Sequence, residues 1–200
     1  MPHGNNNLSS LDLLKKIALS SHRMISASEE KISHRYGHTK RTAIIEDAQS
    51  ETVMLWYSNP SNLSDFSMFW GMAFSHEVSK NCNLIIGKSN FWNRIPFIGP
   101  LKKNQTDSHY INSDFIIRGN GFEEIEKIIY KPLIHNSMLE IIEIDQRIRI
   151  YFNTINMDFC PQLKGKSTVS VIVRNHWELE QPKIEKIFVL TEKLRTLILS

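Results

Sequence analysis

The sequence predicts an α+β protein in which helices cover a mainly antiparallel sheet of about five to six strands. Three observations favour this class. Residues 52–87 carry apolar side chains at alternate positions, residues 147–173 contain two further alternating segments, and residues 180–200 carry apolar side chains at helical spacing. Because short polar loops join the alternating segments, we expect their strands to pair antiparallel.

An N-terminal helix is predicted over residues 11–32, with a break near Ser20. Ser9 or Ser10 can cap it, and Asp12 lies in the first turn, where the helix dipole favours a carboxylate. We interpret residues 38–51 as a connector that contains at most a short strand. The predicted organisation is therefore a disordered lead, this helix and the connector over residues 1–50, followed by one α+β domain over residues 51–200.

Residues 52–89 predict three strands. The segments "TVMLWYS", "DFSMFWGMAFSHEV" and "NLIIGKS" are separated by polar turn residues, and apolar side chains occupy every second position from Phe66 to Phe74. We expect the three strands to form an antiparallel meander.

Strands and helices then alternate to the end of the chain. A strand near residues 111–117 precedes a turn at Gly119–Gly121, an acidic helix that opens at Glu123, and a second helix whose first residue is Pro132. Two strands, "RIRIYFN" and "STVSVIV", follow with a turn between them. The last segment predicts an amphipathic helix that belongs to the core.

Part of this pattern resembles a known family. In "DSHYINSDFIIRGN", Asp107, Tyr110, Phe115 and Ile117 are followed by an acidic helix, a short helix, two strands and a final helix. From about residue 52 to residue 199, this order resembles an uncharacterised prokaryotic family of membrane-associated proteins with a soluble domain of unknown function. The resemblance implies an α+β fold and gives no information about activity.

Composition limits the functional classes. The net charge is +3 and charged residues are interspersed, which does not indicate nucleic acid. The two cysteines, Cys82 and Cys160, are far apart, so we do not expect a zinc ribbon or a redox pair. We expect both to be reduced thiols in a reducing compartment. No apolar run approaches the ~20 residues that span a bilayer, and the N-terminus lacks a secretory pattern. We expect a cytoplasmic protein, and attachment to a membrane surface stays open.

The segment "NLIIGKSNFWNRIPFIGPLKK" contains a Gly-Lys-Ser that does not predict a phosphate loop. The entry glycine of that motif would stand five residues before Gly87, where the chain has Cys82. Pro96 and Pro100 also interrupt the helix that such a loop requires. We expect no nucleotide and no cofactor here. The apolar residues after Ser89 either cover the sheet or insert at a membrane surface beside Lys102 and Lys103.

The remaining candidates for chemistry are few. A hydrolase or transferase site could form near His76, Asp107 and His109, although none of them has an identifiable nucleophile partner. No histidine or cysteine spacing predicts a metal site. Arg147, Arg149 and Tyr151 would share an exposed sheet face that could bind phosphate and stack a base. We favour a non-catalytic binding or interaction module, with a protein or a membrane surface as its partner.

Overall fold

The computed structural model describes residues 9–33, 38–61, 66–77, 79–89, 108–111 and 114–200. The helices are α1 (Ser10–Ser20), α2 (Phe122–Ile129), α3 (Pro132–Ile144) and α4 (Gln181–Leu199). The strands are β1 (Met24–Ser33), β2 (His38–Glu46), β3 (Val53–Ser58), β4 (Met68–Ser75), β5 (Asn83–Lys88), β6 (Ser108–Ile111), β7 (Phe115–Asn120), β8 (Arg149–Phe152) and β9 (Thr168–Arg174).

The described strands form one sheet of nine, in the order β1-β2-β3-β4-β9-β8-β5-β7-β6. Each neighbouring pair is antiparallel. The predicted α+β class is confirmed, and the sheet is larger than the sequence indicated. Two of the additional strands come from the N-terminal region.

The predicted connector and the second half of the predicted first helix are wrong. The helix ends at Ser20, where a break was predicted, and His22 then adopts a positive φ of 56°. Residues 24–33 and 38–46 form a hairpin, and β2 pairs with β3, so the sheet continues across residue 50. The serines that diluted the helical stripe alternate with Ile25 and Ala27, which is the pattern of a strand. Residues 1–8, most of the predicted lead, lie outside the described residues.

The predicted three-strand meander is also wrong. β3 pairs with β4 as expected, but β9 and β8 separate β4 from β5. Alternation identifies a strand without identifying its partner, and a short loop favours a hairpin only as a tendency. The predicted pair β8 and β9 does form, with Arg149 opposite Ile172 and Phe152 opposite Val169.

The two faces of the sheet are covered differently. All four helices pack on one face, here called the helical face, whose largest buried side chains include Trp56, Trp70 and Phe152. The other face, here called the second face, has a smaller cluster around Leu55, Phe69 and Tyr151. The connection between β8 and β9 covers that cluster with the apolar side chains of Ile155, Met157 and Leu163.

Helix α4 is held by buried apolar residues and by an ion-pair network at its start. Lys183 Nζ lies 2.9 Å from Asp145 Oδ2 and 2.8 Å from Glu178 Oε2. Hydrogen bonds from Arg147 lower the pKa of Asp145, burial raises it, and the hydrogen bond and charge of Lys183 lower it further. The net pKa of Asp145 is well below its ordinary value, so the carboxylate stabilises the folded chain.

The buried stripe of α4 predicts a large loss of stability for Leu194→Ala. Leu194 is fully buried, so its truncation should lower the free energy of unfolding by about 2–5 kcal/mol in urea titrations. Val189→Ala on the same helix is the control, because Val189 is 62% exposed and its change should stay within about 0.5 kcal/mol. Similar losses in both variants would contradict the core role of α4.

The Asp145 network predicts that Asp145→Asn lowers the free energy of unfolding by an amount that depends on pH. The unfolded chain protonates this carboxylate near pH 4 and the folded chain only at lower pH. The stabilisation is therefore complete well above pH 4 and is lost as the pH falls through the folded pKa. In urea titrations at pH 7, 5 and 3, the difference in free energy of unfolding between wild type and variant should be smallest at pH 3. Asp158→Asn, at an exposed position, is the control. A difference in free energy of unfolding that is the same at all three pH values would exclude this role of Asp145.

Candidate functional site

Strands β7, β5 and β8 place two arginines on the second face. Ile150 and Phe152 of β8 belong to the core of the helical face, so Arg149, one residue out of phase, lies on the opposite face. The same alternation places Arg118 there, because Phe115 and Ile117 of β7 belong to the helical face. Arg118 is directly opposite Ile85 of the intervening strand β5.

Gly87 allows the Arg149 side chain to lie across β5. A Cβ atom at Gly87 would come within 2.5 Å of Arg149 Cδ and 2.6 Å of Arg149 Nε, which is closer than atoms approach in proteins. The Arg149 side chain therefore rests on the bare backbone of residue 87. It forms one wall of a depression of about 190 Å³ that is lined by Ile85, Gly87, Lys88, Ile116, Arg118 and Arg149.

The charge in this depression is not neutralised by the described residues. Arg149 Nη1 donates to the backbone carbonyls of Gln146 at 2.6 Å and Ile148 at 2.7 Å. In the part of the chain that the structure describes, neither Arg149 nor Arg118 forms an ion pair with a carboxylate. Burial lowers the pKa of Arg149 and the charges of Arg118 and Arg174 lower it further, while Tyr151 and the charge of Asp145 raise it, with a net lowering. Arg149 is thus a desolvated cation beside like charges.

The predicted cluster of Arg147, Arg149 and Tyr151 does not form an exposed face. Tyr151 is buried, and its ring centroid lies 5.5 Å from that of Phe66. Arg147 precedes β8 and is held by Asp145, with Nε at 3.0 Å from Oδ1 and Nη2 at 2.6 Å from Oδ2. The connection between β8 and β9 packs over Tyr151, and alternation along one strand does not indicate which segment covers it. Of the three, Arg149 is the one that lines the depression.

The histidines of the predicted catalytic site lie on distant strands. His76 follows β4 and His109 lies in β6, and four strands separate β4 from β6 in the sheet. At about 4.8 Å per strand this separation is roughly 24 Å along the sheet. Burial lowers the pKa of His76, while the charge of Glu77 raises it. Asp107 lies outside the described residues.

The Gly-Lys-Ser motif lies at the end of a strand. Gly87 and Lys88 are the last residues of β5, which is paired with β7 on one side and β8 on the other. Lys88 Nζ lies 3.9 Å from Glu143 Oε1, a long and partly exposed ion pair. The part of the segment from residue 90 to residue 103 lies outside the described residues. Gly87 lies inside an alternating strand, and a glycine at such a position can indicate that another group packs closely against the backbone. The sequence contained no comparable indication that Arg118 lies near Arg149.

An aromatic pocket lies further along the second face. Tyr57, Phe66, Phe69 and Phe159 line a space of about 450 Å³, and the Arg174 guanidinium lies 5.2 Å from the Phe66 ring centroid. Arg174 therefore stands between this pocket and Arg149, whose pKa it influences. The second face carries both positive charge and aromatic surface.

Other classes of site are not found among the described residues. They contain no group of three or more metal-ligating side chains, and no described helix is long and apolar enough to cross a membrane. The chain matches no family model, no curated protein and no solved structure. The family resemblance from the sequence stays a prediction, and function is argued from the geometry of the second face.

Proposed function

We propose that this chain is a non-catalytic binding module that engages an anionic partner through its second face. The observation that carries the proposal is the pair Arg118 and Arg149, which lines one depression without a carboxylate partner in the described part of the chain. Arg118 is exposed, whereas Arg149 is half-buried, and a partly desolvated cation costs folding free energy unless it is paired.

An anion would remove that cost. It would supply the missing countercharge to both guanidinium groups at once, in surroundings where charge-assisted hydrogen bonds contribute about 1.5–3 kcal/mol each. The sheet provides a rigid support, since β5 is paired on both sides along this stretch. The acidic residues at the start of α2 do not oppose binding at this surface, because α2 packs on the helical face.

Several features favour binding over catalysis. The hydrolase or transferase alternative required His76, Asp107 and His109 to converge, and the sheet order separates the two histidines. A different pair, His135 and Asp114, has Nε2 at 3.1 Å from Oδ2, and the other ring nitrogen of His135 is buried with no hydrogen-bond partner among the described residues. Neither residue of this pair is among those that line the depression over Gly87.

We place the module in the cytoplasm, with attachment to a membrane surface as a further proposal. Cys82 and Cys160 are buried free thiols, and burial raises the pKa of both, that of Cys82 to about 11. Thiols of this kind are unreactive and suit a reducing compartment.

The proposal predicts that Arg118→Ser/Arg149→Ser weakens binding to heparin, used here as a generic polyanion. Elution from a heparin column should require less salt, and the affinity in titrations at low salt should fall by about tenfold or more, because two charge-assisted contacts are lost. Thermal melting would verify that the variant is folded, and Arg118→Ser alone is the milder test.

The matched control is Arg41→Ser/Arg147→Ser, which removes the same charge from two arginines that pair with Glu29 and Asp145. This control should elute close to wild type. If both double variants elute alike, binding depends on net charge, and the second face is not the binding surface.

A further inference from the structure

The geometry points to a phosphate-group site in the depression over Gly87, in which Arg118 and Arg149 hold one dianionic phosphate, free or as the end of a monoester. This inference rests on the proposed anion-binding function and names the chemical group that the second face would accept. Three properties of the depression carry it: its volume, its charge and the orientation of Arg149.

The volume fits a single anionic group. A space of about 190 Å³ corresponds to roughly six water molecules at ~30 Å³ each. Sites for whole small molecules usually measure about 300–1,000 Å³. The depression therefore has room for a phosphate and the first atoms attached to it, and a nucleotide would extend well outside.

The charge favours a dianion over a monoanion. Arg118 and Arg149 both line the depression, whereas the Lys88 ammonium is paired with Glu143 of α3 on the helical face. Arg174 adds its field from the neighbouring strand β9. A carboxylate or a phosphodiester carries one negative charge, whereas a phosphate monoester carries close to two above its second pKa near 6.

Arg149 presents the donor geometry that a phosphate requires. Its Nη1 is held by the carbonyls of Gln146 and Ile148, which fixes the plane of the guanidinium. No hydrogen bond within the described part of the chain uses its Nε or Nη2. These two atoms form the side edge of the guanidinium, which can donate two parallel hydrogen bonds to one phosphate.

Gly87 makes this arrangement depend on a single missing methyl group. An alanine at this position would push its Cβ against Arg149 Cδ and Nε and displace the guanidinium. Gly87 does not have a positive φ, so alanine would not strain the backbone there and would act by steric contact with the Arg149 side chain. The substitution also leaves the charge of the protein unchanged.

The test follows the arginine Nε–H signals by NMR at pH 7.5 during titration with methyl phosphate, inorganic phosphate, dimethyl phosphate and acetate. We expect saturable shifts at Arg118 and Arg149 with the two dianionic probes, and affinities at least about tenfold lower for the two monoanions. Equal affinity for methyl phosphate and inorganic phosphate would identify a site for the free anion, and tighter methyl phosphate a site for a monoester. Absence of saturable shifts, or equal affinities for all four probes, would overturn the assignment.

Gly87→Ala separates this site from general anion binding. It should lose about tenfold or more in phosphate affinity while its elution from heparin stays near wild type. Arg149→Lys is the second variant, because it keeps the charge and loses the two-donor edge, and the same result is expected. The Arg41→Ser/Arg147→Ser control should retain phosphate binding. Wild-type phosphate affinity in folded Gly87→Ala and Arg149→Lys would refute the site, even if the heparin result held.

Discussion

The pairing of β9 with β4 on one side and β8 on the other is the contact on which the rest of the sheet depends. It joins the strands β1 to β4 to the strands β8, β5, β7 and β6, which are otherwise separate in the sheet order. In this contact, here called the seam, Gly71 of β4 lies so close to β9 that a Cβ atom on Gly71 would collide with the carbonyl oxygen of Val171. Because β9 starts at residue 168, both halves must be synthesised before the sheet can be completed, so most of its stabilising contacts are non-local.

This seam also decides what each face can do. Helix α4 follows directly after β9 and packs on the helical face with α1, α2 and α3, so the apolar side chains of that face are covered by helices. The second face is covered over β3, β4 and β9 by the connection from β8 to β9. The part formed by β5, β7 and β8 carries Arg118 and Arg149 where a covering element would require apolar residues. Among the residues that the structure describes, the charged depression is therefore the chemically distinct part of the sheet.

The sequence predicted the features that depend on local patterns of apolar residues and missed those that depend on which strands pair with each other. Alternation identified β3, β4, β8 and β9, and helical spacing identified α4, because a strand or helix that buries one face must repeat with its own period. The order of strands was missed, since the meander hypothesis relied on short loops, and β4 pairs instead with β9, about a hundred residues away. For the site, Arg149 was predicted from its own strand. Arg118 and Gly87 could not be combined with it, because register across β7, β5 and β8 brings them together.

Gly87 and Arg149 illustrate how two positions that indicate little separately can support one proposal together. Gly-Lys-Ser lacks the entry glycine of a phosphate loop, and Gly87 lies in a paired strand. Yet a glycine in a strand weakens it, so its presence requires a compensating use of the space. The Arg149 side chain occupies that space, and it does so with a charge that burial disfavours and neighbouring arginines oppose. These two unfavourable choices at contacting positions support the proposed anion site, because a bound anion would use both, whereas packing alone would be served better by apolar side chains.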